Sequence, residues 1–216
     1  AGPGAPVFVY IGGEGSEGCG RLAAGATYMY DLAQTHQALL VDVEHRFYGA
    51  SQPTGDLTTE SLELLTSEQA LADLARVITH VLDVEGSASS PVVVVGGSYP
   101  GALSAWFRAK YPHVATAGSI ASSAPVNAVE DFHQYMEVVG RSLTYFGGEA
   151  CYSAFAAAAD ALAGLLAKGQ LGQVTSDFSL CDELSGDKKD VATFLSDVMG
   201  NVQGTVQYNN EIRGVM

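Results

Sequence analysis

Residues 92–101 read Val92-Val93-Val94-Val95-Gly96-Gly97-Ser98-Tyr99-Pro100-Gly101. Four β-branched residues run into two glycines and a serine, and a helical pattern follows through Phe107 and Lys110. A strand that turns at once into a helix holds the serine at a strained corner. Small neighbours let strand and helix approach closely there. The corner lifts the hydroxyl above the carboxyl end of a sheet, where ligands bind in open α/β folds. The string G-x-S-x-P-G is a near match to the nucleophile elbow G-x-S-x-G, with the last glycine one place late. Ser98 is therefore the candidate nucleophile. The helix after it aims backbone N–H groups at developing negative charge, so the Tyr99 N–H is the natural first oxyanion donor.

Upstream of this corner, strands and helices alternate. PVFVYIGG is a short apolar strand stopped by Gly12 and Gly13, and ALLVDVEHRF is a second. Between them Leu22, Ala26, Met29, Tyr30 and Ala33 recur at helical spacing. Thr66 and Gln69 have the spacing of a capping box, and Leu71, Leu74, Ile78 and Val81 then share one helical face. EGSASS is a turn-rich connector, and VATAGSIASSAPV reads as a fourth strand with its exit loop. Continuous apolar strands separated by amphipathic helices imply a parallel sheet covered on both faces, an α/β fold. From Asp131 to Gly200 only helices are expected, among them the alanine-rich run Cys151–Gly169. The boundary falls near Asn127 to Asp131, giving residues 1–128 as the α/β part and 129–216 as a helical region.

Gly12-Gly13-Glu14-Gly15 follows the first strand, where α/β-hydrolases place the loop with a second oxyanion N–H. Gly13 is the candidate donor, with Glu14 as the neighbouring alternative. Glu44 and Arg46, after the second strand, are expected to form buried ion pairs that fix loops around the elbow. His45 between them is given no direct chemical role.

The chain has 216 residues and a formal net charge of −14, with 47% apolar and 16% charged residues. That composition is globular. The negative excess repels phosphate backbones, so nucleic acid is not expected as a partner. No apolar run approaches the ~20 residues of a membrane span, so no membrane partner is expected. The start, Ala1-Gly2-Pro3-Gly4, reads as a processed or truncated end. Cys19, Cys151 and Cys181 form no C-x-x-C pair, so a zinc site is not expected. No metal and no cofactor are expected. Cys151 and Cys181 could pair in a secreted chain; small buried apolar residues are the alternative for all three.

Four stretches carry a resemblance to a known family: YIGGEGS, EHRFYGASQP, LTSEQALADLARVI and GGSYPGALSAWFRAKYPH. Together they resemble the secreted and lysosomal serine peptidases comprising prolyl carboxypeptidase, dipeptidyl peptidase II and thymus-specific serine protease, and most closely the thymus-specific branch. The likeness is dense from Pro6 to Pro125 and weaker after Asp131, although NVQGTVQYN also looks familial. It implies an α/β-hydrolase core with an inserted helical cap, a peptide substrate cleaved near proline or small residues, and a secreted or lysosomal location. It implies no metal. A homodimer stays open. Glu14 would then either pair with Arg46, the reading favoured here, or bind substrate by meeting the amino terminus of a peptide. Two alternatives stand beside the peptidase: an esterase or lipase on the same scaffold, and a non-catalytic relative used for binding.

In α/β-hydrolases the acid and base follow the serine in the order Ser, Asp or Glu, His. Only His113 and His133 follow Ser98, and neither comes after a late strand that an acid-bearing strand precedes. His36, His45 and His80 precede it. The expectation is that the partner Asp and His lie outside this chain, and that residues 1–216 alone are inactive.

Overall fold

A computed structural model describes residues 2, 4–85 and 89–209. Residues 86–88 of the expected connector lie outside the described residues. The strands are β1 (Val7–Ile11), β2 (Leu39–Val43), β3 (Val92–Gly97) and β4 (Gly118–Ser122). They form one parallel sheet in the order β2-β1-β3-β4, with Val9 opposite Val41 on one side and Val94 on the other. Parallel neighbours need crossovers. Three helices supply them: α1 (Tyr28–His36), α3 (Ser67–Glu85) and α4 (Tyr99–Lys110), with a single turn α2 (Thr59–Leu62) ahead of α3.

The main core lies on one face of this sheet. Alternation along the strands directs Val7, Val9, Ile11, Val92 and Val94 to the same side. There they meet Leu71, Leu74 and Ile78 of α3 and Leu103 and Phe107 of α4. Spacings of three and four residues put each helical set on one stripe. Full burial of such a side chain stabilises the fold by about 1.5–3 kcal/mol. The other face, with Phe8, Tyr10, Leu40, Asp42, Val93 and Val95, is only partly buried. The even cover on both faces implied by the apolar strands is therefore not seen among the described residues.

Two local expectations are corrected. The helix after β1 does not begin near Leu22. Cys19–Leu22 is a 3₁₀ turn, Gly25 takes a left-handed φ of 76°, and α1 starts only at Tyr28. The capping box before α3 is half formed. The Thr66 hydroxyl accepts from the Gln69 N–H at 3.2 Å, but the Gln69 side chain is bonded to Arg46.

Asp42 sits on the thinly covered face of β2, opposite Tyr10. Both carboxylate oxygens are buried, and among the described residues no donor meets either at full hydrogen-bond geometry. Burial, reinforced by the nearby Glu17 carboxylate, pushes its pKa up to about 6; the Arg21 guanidinium and the Val43 N–H oppose this only partly. A carboxyl whose folded pKa is raised binds its proton more tightly when folded. Its contribution to stability therefore falls as pH rises from about 4 to about 6. Asp42→Asn is expected to be more stable than the parent at pH 7 and to lose that advantage by pH 4. Melting curves across this range check it, and an unchanged difference between the two pH values would contradict it.

The chain divides into two compact units, Ala1–Ala128 and Val129–Met216. The second is built from α5 (Gln134–Gly147), α6 (Glu149–Ala167), α7 (Leu171–Asp177) and α8 (Lys188–Gln207). Its small core joins Leu162, Val174, Leu184 and Phe194, with Phe178 set edge-on to Phe194 at 5.1 Å. Asp187 caps α8 by accepting from the N–H groups of Lys189 and Asp190. By length and composition, the 19-residue helix α6 could cross a membrane, its mean hydropathy being 1.5. This departs from the expectation that no apolar run approaches a span. Cys19, Cys151 and Cys181 are all exposed and free, which removes both the Cys151–Cys181 pairing and the buried alternative.

Candidate active site

The sheet order reverses at β1. The chain leaves β1 to one side for β2 and returns to its other side for β3. Between the carboxyl ends of β1 and β3 lies the crevice in which open α/β sheets bind ligands. Gly12-Gly13 leaves β1 there and Ser98 leaves β3 there.

Ser98 is exposed and takes φ 60°, ψ −130°, a conformation that costs a non-glycine residue about 1–3 kcal/mol. The surrounding contacts hold it in that state. Its N–H donates to Ser122 O on β4 at 2.9 Å, and its carbonyl accepts from Ala102 N–H at 3.0 Å, opening α4. The glycines explain the shifted motif. A Cβ at Gly96 would fall 2.1 Å from Pro100 O, and one at Gly101 2.9 Å from Ser122 O. Strand and helix are in backbone contact at both points, so Gly96 and Gly101 are the small residues the turn requires. Pro100 stands where the usual motif has its last glycine. It lacks an N–H, so the first turn of α4 keeps the Tyr99 N–H but has none at position 100.

The Pro100 ring also packs on the β1 exit. A Cβ at Gly13 would lie 2.7 Å from Pro100 Cγ. The bare Gly13 backbone therefore sits beside the elbow. The Gly12 N–H is spent on Val43 O at 2.8 Å, which makes Gly13 the next donor along the loop.

The loop after β2 is tied more closely to the elbow than its sequence suggests. Among the described residues, Glu44 forms no ion pair. It accepts the Glu17 N–H at 2.9 Å and the Ser51 N–H at 2.6 Å, which hold its carboxyl below the usual range. Arg46 pairs with Asp73 of α3 through two bonds of 2.7 and 2.8 Å, and also reaches Leu64 O and Gln69 Oε1. The expected Glu14–Arg46 pair does not form. Glu14 is exposed. Burial raises the pKa of the Tyr99 phenol; the hydrogen bond with Ser67 opposes this, and Tyr48, Glu14 and Glu68 add smaller upward contributions. His45, given no direct chemical role from the sequence, is tied to the elbow by a hydrogen bond. It is buried, with Nδ1 2.8 Å from Arg46 O and Nε2 3.0 Å from the Tyr99 hydroxyl. No sequence pattern links positions 45 and 99.

Among the described residues, no histidine ring nitrogen is bonded to the Ser98 hydroxyl. His80 and His113 line a groove with Arg76 and Asp83 of α3. His36 meets Phe8 edge-on, and His133 lies 3.6 Å from Glu137 in the second unit.

A family model described as serine carboxypeptidase S28 matches residues 1–216. The chain belongs to the serine carboxypeptidase S28 family. It is 41% identical over 214 residues to the thymus-specific serine protease of Mus musculus, covering 95% of this chain and 41% of that protein. The Homo sapiens protein of the same name is also 41% identical, with 95% and 40% covered. The lysosomal Pro-X carboxypeptidase of Homo sapiens is 43% identical over 132 residues, 59% of this chain and 26% of that protein. The chain thus spans about two fifths of the length of its thymus-specific relatives. Membership of this S28 family agrees with the four stretches singled out in the sequence and with the parallel sheet.

Proposed function

We infer that the full-length protein is a serine exopeptidase of the S28 type, with Ser98 as nucleophile. Ser98 Oγ attacks the scissile carbonyl, and the Tyr99 and Gly13 N–H groups hold the oxyanion. The observation that carries this is the exposed, strained Ser98 at the switch point, with Gly13 held beside it by Pro100. A serine hydroxyl needs an adjacent base, and among the described residues no histidine is bonded to it. The Asp and His that complete the triad come from residues outside this chain. Residues 129–216 are read as part of the inserted helical region that the family resemblance implies.

The substrate is a peptide cleaved next to proline or a small residue, in a lysosomal or secreted setting. The relatives named lysosomal Pro-X carboxypeptidase support this, and the net charge of −14 suits an acidic compartment. Glu14, exposed on the loop after β1, is read as the group that meets a substrate amino terminus.

A panel of peptides with a penultimate proline at the carboxyl end, Lys-Ala amino-terminal dipeptide substrates and aryl esters tests the reading. Cleavage of either peptide class above the esters supports it. Ester cleavage alone would replace the peptidase by an esterase. Residues 1–216 expressed alone are expected to show no peptide turnover, and turnover by this piece would mean that a base is present within it.

A further inference from the structure

The contacts around Tyr99 determine the direction of each hydrogen bond. Arg46 O is a carbonyl and can only accept, so the Nδ1 of His45 carries the proton. In the neutral ring Nε2 is then an acceptor, and the Tyr99 hydroxyl donates to it at 3.0 Å. The same hydroxyl oxygen lies 3.2 Å from Ser67 Oγ at the start of α3, which donates to it. The imidazole is 6% exposed, with the Tyr48 ring edge-on at 5.2 Å and the Tyr99 ring at 5.6 Å. It cannot turn without leaving both nitrogens unpaired in a buried site.

What His45 holds is the side chain of the residue directly after the nucleophile. The Tyr99 ring is long and rigid, so fixing its hydroxyl fixes the direction of its Cα–Cβ bond and, through it, the plane of the Ser98–Tyr99 peptide. That peptide carries the N–H assigned to the oxyanion. We propose that His45 is a positioning residue that sets the oxyanion N–H of Tyr99 through the Tyr99 hydroxyl, and so acts on the transition state without touching substrate. This rests on the reading of Ser98 as nucleophile. The support behind His45 is itself fixed. Arg46 is clamped to Asp73, and Glu44 ties the loop to the N–H groups of Glu17 and Ser51. The anchor thus runs from α3 and the β2 exit to the elbow.

Two substitutions divide the two nitrogens. His45→Asn keeps a donor near the Nδ1 position and removes the acceptor for Tyr99. His45→Gln places an amide near the Nε2 position and restores that acceptor. The probe is a fluorophosphonate, whose phosphoryl oxygen occupies the oxyanion site as the serine oxygen displaces fluoride. In the full-length protein, His45→Asn is expected to label about 10–100-fold more slowly than the parent, the scale of a small misplacement at a reacting centre. His45→Gln should recover to within about fivefold. On peptides, kcat should fall with KM unchanged. Tyr99→Phe should give a similar loss, and adding it to His45→Asn should cost little more, since both remove one bond.

Wild-type labelling rates in His45→Asn, or losses in His45→Asn and Tyr99→Phe that multiply, would overturn the proposal. So would His45→Gln as slow as His45→Asn at equal Tm. Should His45→Asn fail to fold, Tyr99→Phe alone decides by its rate. A Ser98→Ala control separates the two readings. If the parent is not labelled at this serine, the assignment of Ser98 fails and takes His45 with it. If labelling is lost in Ser98→Ala but not slowed in His45→Asn, only the role of His45 fails.

Discussion

Ser98→Ala in the full-length enzyme is expected to lower kcat by about 10⁴-fold or more, the usual consequence of removing a nucleophile from a catalytic triad. The fold should survive, because the site is an exposed turn that accepts a small side chain. The backbone supplies a sharper companion test. At φ 60° and ψ −130° a serine is strained, whereas glycine is not. Ser98→Gly should therefore lose activity as fully as Ser98→Ala while gaining about 1 kcal/mol in stability. Gain of stability with loss of function at one position is the mark of strain kept for catalysis. Activity within about tenfold of the parent in either variant would remove Ser98 from the mechanism.

The second large effect is on the fold itself. Gly96→Ala places a Cβ 2.1 Å from Pro100 O and 2.3 Å from Pro100 C. Both atoms belong to the backbone and cannot swing away. Strand β3 and helix α4 must separate, at a cost of about 3 kcal/mol. For a chain of this size that lowers Tm by roughly 6–12 °C. Gly97→Ala is the control one residue later. Its Cβ meets nothing closer than Ser122 O at 3.9 Å, and its cost should stay below about 1 kcal/mol. Equal destabilisation by the two changes would mean that strand and helix are not in contact at Gly96.

The elbow was legible because its physics is local. A valine strand, two glycines, a serine and a helix lie within ten consecutive residues, and each constrains the next. The parallel sheet was legible for a similar reason, since apolar runs and amphipathic helices alternate at short range. What was not legible depends on distant partners. Arg46 and Asp73 are 27 residues apart, and His45 and Tyr99 are 54 apart. Nothing in EHRFYG says which of its charges will find a mate, so Glu14 was paired with Arg46 in place of Asp73. The early start given to α1 has another cause. Leu22 and Ala26 fit a helical period, but the backbone at Gly25 is left-handed and interrupts it. Asp42 gave no signal at all, being one acidic residue inside an apolar strand.

The central claim is that Ser98 is the nucleophile of an S28 peptidase. Reaction of the full-length wild-type protein with a fluorophosphonate, followed by peptide mapping in a mass spectrometer, tests it most directly. The account predicts one adduct per chain, carried by Ser98 and absent after mild heat unfolding before labelling. An adduct on another residue, or none on a folded protein that cleaves peptides, would contradict it.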